Sequence, residues 1–200
     1  MSLGPSSTLP VGGNDPTCLA LDEGLRVRGA AVLAVFGFLW ALVAASGVSV
    51  IAPAPVWIVL AVLGGAASIG VLATARRRRA DPVLQRARRL PSWWSRGVGL
   101  VNIAEVVAIF AVVALCRLLD AVPAIPGGVA LAVGAHFVPL ATAYDQPQYS
   151  ASAAGLAVVA LLGVGGAALG APIAATQIGV GYACAVVLWL SALHVGTRPA

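Results

Sequence analysis

The chain has 200 residues, 60% of them apolar and only 10% charged, with a mean hydropathy of +0.97. A water-soluble domain is closer to half apolar and a quarter charged, so the composition excludes an ordinary soluble globule and indicates a membrane protein. The net charge of +5 would point to nucleic acid in a soluble protein, and where that charge sits decides its meaning.

Residues 1–28 are rich in Gly, Pro, Ser and Thr, with Arg26 and Arg28 their only basic residues, and read as a disordered cytoplasmic tail. A cleaved signal peptide is the competing reading, with those two arginines as its basic region and Val43-Ala44-Ala45 as a processing site. The apolar run that follows is longer than the h-region of a signal peptide, which argues against it.

Residues 29–195 read as an all-α, polytopic transmembrane bundle. A hydrocarbon core of about 30 Å takes about 20 apolar residues as a helix, and six runs qualify: 29–51, 56–75, 97–116, 125–143, 151–171 and 173–195. Barrel strands would be about half as long and alternate in polarity. Pro53 and Pro55 separate the first two runs, Pro123 and Pro126 open the fourth, Pro147 precedes the fifth, and Gly170 with Pro172 divides the last two. Residues 196–200 form a short C-terminal tail.

All 12 basic residues are arginine, and eight of them lie in the connection 76–96. Basic residues at helix ends stay in the cytoplasm, so this loop is expected inside. Six spans then place both termini inside and leave Arg117 alone outside, an N-in/C-in arrangement in a bacterial inner membrane. The basic charge becomes an orientation signal. No nucleic-acid-reading fold fits in a loop of this length, so no nucleic-acid partner is expected. Arg76, Arg77, Arg78, Arg79, Arg86, Arg88 and Arg89, with Trp93 and Trp94, suit the headgroup region and anionic lipid. Gly166 and Gly170, and Gly64, Gly65, Ser68 and Gly70, make small-residue faces suited to close helix packing within the bundle or in an oligomer.

Ionisable groups inside hydrocarbon are costly and mark functional candidates. Here they are Glu105 in the third span and His136 in the fourth, with Asn102 three residues before the acid and so on the same side of its helix. At 1.5 Å per residue, Glu105 lies roughly 12 Å from the inner end of its span and His136 roughly 16 Å from the outer end. Those depths nearly coincide, so the carboxyl and imidazole can meet near the midplane if the two helices are neighbours. Pro139 cannot donate to the carbonyl of Ala135, and Gly134 weakens the same turn, so a kink is expected beside His136. Thr176, Gln177 and Tyr182 of the sixth span are expected to complete a polar pocket.

Gly134, His136, Phe137, Pro139, Leu140 and Ala141, followed by Pro147 and Tyr149, resemble a Gly-x-His-Phe-x-Pro-Leu-Ala pattern with a following Pro-x-Tyr. That pattern belongs to small, uncharacterised bacterial integral membrane proteins with an acidic residue in the preceding helix, here Glu105. The resemblance spans roughly residues 97–165 and implies that His136 and Pro139 act as a unit. It implies no activity. Thr142-Ala143-Tyr144 depart from the basic-aromatic sequence expected after the motif.

Cys18, Cys116 and Cys184 show no paired spacing, and no zinc, P-loop, dinucleotide or nucleophile-elbow motif is present, so no metal or cofactor is expected. His136 and His194 differ too much in depth for a bis-histidine haem. The sequence therefore favours a small transporter or channel-like protein that uses Glu105 and His136 for proton or ion coupling. A structural or regulatory subunit that contacts lipid or a partner through its arginine loop comes second, and a membrane enzyme third.

Overall fold

The computed structural model describes residues 19–77, 87–89, 94–143 and 148–197. Among the described residues the fold is all-α apart from one short ribbon. Strand β1 (Leu19–Leu21) leads into α1 (Asp22–Ile51) and α2 (Ala54–Arg77), and β2 (Ala87–Arg89) precedes α3 (Trp94–Leu118). A 3-10 turn (Val122–Ala124) then opens α4 (Ile125–Ala143), followed by α5 (Gln148–Ala168) and α6 (Ile173–Thr197). All six helices are long and apolar enough to cross a membrane. The multi-span reading stands, with α4 bounded as expected and α1 beginning at Asp22 rather than Gly29.

Helix ends follow local chemistry. Asp120 (φ 53°) and Gly170 (φ 89°) adopt left-handed backbone just after α3 and α5. The amides of Ala121 and Ala171 turn back to the carbonyls of Cys116 and Gly166. Both are Schellman closures, which satisfy carbonyls that no further turn would reach. Pro172 then accepts from Thr176 and starts α6, so the long apolar stretch 151–195 folds back as a hairpin.

Helix α6 is central to the bundle and contacts α1, α2, α4 and α5. The α1–α6 interface is the most extensive. Its backbones approach closely because glycine faces backbone: a Cβ on Gly181 would lie 2.7 Å from the Ala44 nitrogen and 2.8 Å from the Trp40 oxygen, and one on Gly47 would lie 2.7 Å from the Ala174 oxygen. Polar side chains add to the packing. Trp189 Nε1 donates to Ser68 Oγ at 2.8 Å, tying α6 to α2, and Ser152 Oγ donates to Ser191 Oγ at 2.7 Å, tying α5 to α6. Such interhelical bonds replace the hydrophobic drive that lipid does not provide.

Helix α3 is peripheral. Among the described residues it packs on α4 and the 3-10 turn and has no other substantial helix contact, and no residue of its span is fully buried. Leu100, Ile103, Val107 and Phe110 face outward, as they can only where lipid covers them.

One feature lay beyond sequence reasoning. Leu19–Leu21 and Ala87–Arg89 pair antiparallel, Leu19 opposite Arg89, so the stretch before α1 meets the arginine connection at the end of the bundle where α1 begins. Arg76 and Arg77 close α2 at that end and are exposed. Arg78, Arg79, Arg86 and Trp93 lie outside the described residues. Trp94 is the first residue of α3, and Arg88 and Arg89 stand in β2.

Candidate functional site

The antiparallel packing of α3 on α4 brings the two intramembrane ionisable residues together. His136 Nδ1 lies 3.1 Å from Glu105 Oε2, with the side chains 9% and 11% exposed. The depth match read from the sequence is therefore a contact. One turn before Glu105 on α3, the Val101 backbone carbonyl is the ring's other polar neighbour. The Nδ1 position is buried and makes no aligned hydrogen bond. The two groups are in contact, short of the directional geometry a full hydrogen bond needs.

The ring is fixed by its surroundings. His136 meets Phe137 edge-on, with centroids 5.7 Å apart and an interplanar angle of 89°, and Phe137 stacks on Tyr149 of α5 at 5.7 Å and 22°. Gly134 lets α4 lie tight on α5, since a Cβ there would sit 3.2 Å from Leu156 Cβ. Helix α4 runs on through Pro139 to Ala143. Pro139 leaves the carbonyl of Ala135 without its helical donor one residue before His136.

Glu105 and His136 lie on the wall of a cleft of about 400 Å³ between α1 and α3. Arg28 and Phe36 line it from α1, Asn102 from α3, and Phe137 and Tyr149 from α4 and α5. Asn102 is exposed into this space, so the expected grouping of Asn102, Glu105 and His136 is present. From Val98 at its upper rim the cleft descends two turns of α3 to Glu105, roughly 10 Å. It thus links the arginine-bearing end of the bundle to the buried pair.

The α6 residues expected to complete this pocket do not. Leu188 is the contribution of α6 to the cleft, while Gln177 and Tyr182 are not in its lining. Gln177 sits against Gly47 near the opposite end of α1. Thr176 is buried and donates to the Ile173 carbonyl within its own helix. The Tyr182 hydroxyl is buried without a hydrogen-bond partner. Depth along a helix is countable from sequence, but the azimuth of α6 is set by glycine contacts with α1 that the sequence does not announce. Sequence reasoning also missed Arg28, Phe36 and Tyr149 as cleft residues. The Pro-x-Tyr spacing was the one available signal for Tyr149.

Among the described residues, no group of three or more His, Cys, Asp or Glu side chains could hold a metal ion. No family model, curated protein or solved structure matches the chain.

Proposed function

We propose that the chain is a small transporter of the bacterial inner membrane in which Glu105 and His136 form a proton- or ion-coupling site. One observation carries this reading: the buried pair, 3.1 Å apart, borders a cleft that reaches the arginine-bearing end of the bundle. A purely structural ion pair needs no such opening, whereas intramembrane ionisable groups that line a cavity are the usual mark of proton and ion pathways. The positive-inside rule supports a cytoplasmic position for that end and for both termini, with the arginine loop, Trp93 and Trp94 at the inner headgroups. The segments that precede α1 and follow α6 are then cytoplasmic.

The test is proton flux into proteoliposomes under an imposed pH gradient, read with an entrapped pH dye. Wild type is expected to conduct, and Glu105→Gln and His136→Ala to lose the flux. Unchanged flux in both variants removes the coupling role.

A second reading rests on the isolation of α3. Its helix contacts are to α4, so the Glu105–His136 pair can equally serve as the clasp of a structural or regulatory subunit that binds anionic lipid or a partner through its arginine loop. Loss of the folded state in both variants, with no flux in wild type, would favour that alternative.

A further inference from the structure

We propose that the α1/α3 cleft binds a lipophilic organic cation, which takes the place of a proton held by the Glu105–His136 pair. The proposal rests on the transporter reading and names its substrate class.

The lining supplies the chemistry. Most of the cleft surface is apolar, with Val32 and Leu33 of α1 facing Val106 of α3 and Val133 of α4. That composition suits a ligand that partitions into lipid. Phe36, Phe137 and Tyr149 add aromatic rings, whose negative faces attract cations. The acid in this space is Glu105, 11% exposed, and the group beside it, His136, can give up its charge. Because α1 and α3 make no substantial contact with each other, the space between them leads sideways toward the surrounding lipid. A cation dissolved in the bilayer could thus reach the carboxylate without crossing water.

The charge balance closes. With one proton shared by Glu105 and His136, the pair is neutral overall, whichever group carries it. An arriving monovalent cation lies against the Glu105 carboxylate, the pair releases its one proton along the cleft, and His136 is left neutral. One positive charge enters and one leaves, so the apolar surroundings hold no uncompensated charge in either state. The charged or titratable groups lining the cleft, among the described residues, are Arg28 on α1, Glu105 on α3, His136 on α4 and Tyr149 on α5. Arg28 is exposed at the rim, where it opposes a bound cation by like charge.

Tetraphenylphosphonium and tetraphenylborate, alike in shape and opposite in charge, provide the test on the full chain in nanodiscs. Wild type is expected to bind tetraphenylphosphonium more tightly as pH rises and to release one proton per cation in weakly buffered solution. Glu105→Gln, checked for folding by its thermal melt, should weaken binding by more than about tenfold and abolish proton release. Arg28→Ala, at an exposed position, should tighten binding by about fivefold. Tetraphenylphosphonium binding that is equal in wild type and Glu105→Gln, a preference for tetraphenylborate, or no binding to folded wild type would overturn the proposal. Glu105-dependent proton flux in proteoliposomes alongside any of these results would leave the transporter reading standing without this substrate class. Loss of both flux and binding would remove the two together.

Discussion

Gly181 illustrates how much of this molecule is decided by single side chains that are not there. A methyl group at this position would meet the Ala44 nitrogen at 2.7 Å and the Trp40 oxygen at 2.8 Å, and backbone atoms cannot rotate away as a side chain can. Gly181→Ala is therefore expected to destabilise the fold by about 1–3 kcal/mol, the usual range for overpacking. Gly179→Ala, two residues away with open space around it, should leave stability nearly unchanged. Melting temperatures in one detergent check the contrast, and equal melts would remove the close-approach argument. Trp189 and Ser68 make a second residue-scale case. Their 2.8 Å hydrogen bond links α6 to α2, and bonds of this kind between membrane helices contribute about 0.6 kcal/mol on average and at most about 1.7 kcal/mol. A double-mutant cycle with Trp189→Phe and Ser68→Ala should return a coupling energy in that range. The sequence showed these residues as apolar or small but gave no indication of which glycine meets backbone, because that depends on helix azimuth.

Among the elements, α3 differs from the rest. The other helices share interfaces with at least two neighbours, while α3 leans on α4 and the 3-10 turn. Its contacts include the Glu105–His136 pair, the packing of Val98, Val101 and Ile109 against the core, and the seating of Val112 over Gly128, where a Cβ would lie 2.6 Å from Val112 Cγ1. Few packed contacts mean low local stability, so α3 should open before the bundle does. Hydrogen exchange followed by mass spectrometry in nanodiscs is expected to show peptides from Trp94–Leu118 exchanging well ahead of those from α1 and α6. Protection of α3 equal to that of α6 would contradict this. Span number and the depth match of Glu105 and His136 were readable beforehand, because length and rise per residue set both. The peripheral position of α3 was not, since its apolar run looks like any other span when lipid and protein are equally greasy neighbours. The β1–β2 ribbon escaped notice for a different reason: three-residue strands leave no periodic signal.

At the scale of the whole molecule, charge and architecture point the same way. The contacts of Gly29 with Val195 and Tyr149, and of Gly196 with Ala75, bring the start of α1 and the ends of α2 and α6 to one end of the bundle. Among the described arginines, Arg28, Arg76 and Arg77 stand at this end and Arg117 closes α3 at the other, and by sequence eleven of the 12 arginines fall within residues 1–28, 76–96 and 196–200. Such an asymmetry biases insertion so strongly that the opposite orientation would require arginine-rich segments to be translocated. Alkaline phosphatase, active only outside the cytoplasm, should therefore be inactive when fused after Ala200 and active when inserted after Asp120. Neutralising Arg76, Arg77, Arg78 and Arg79 together should weaken the bias and yield a mixed population. A phosphatase active at the C-terminus of the unaltered chain would reverse the topology. The α1/α3 cleft would then open from the outer face, and a proton released from the Glu105–His136 pair would leave on the opposite side of the membrane.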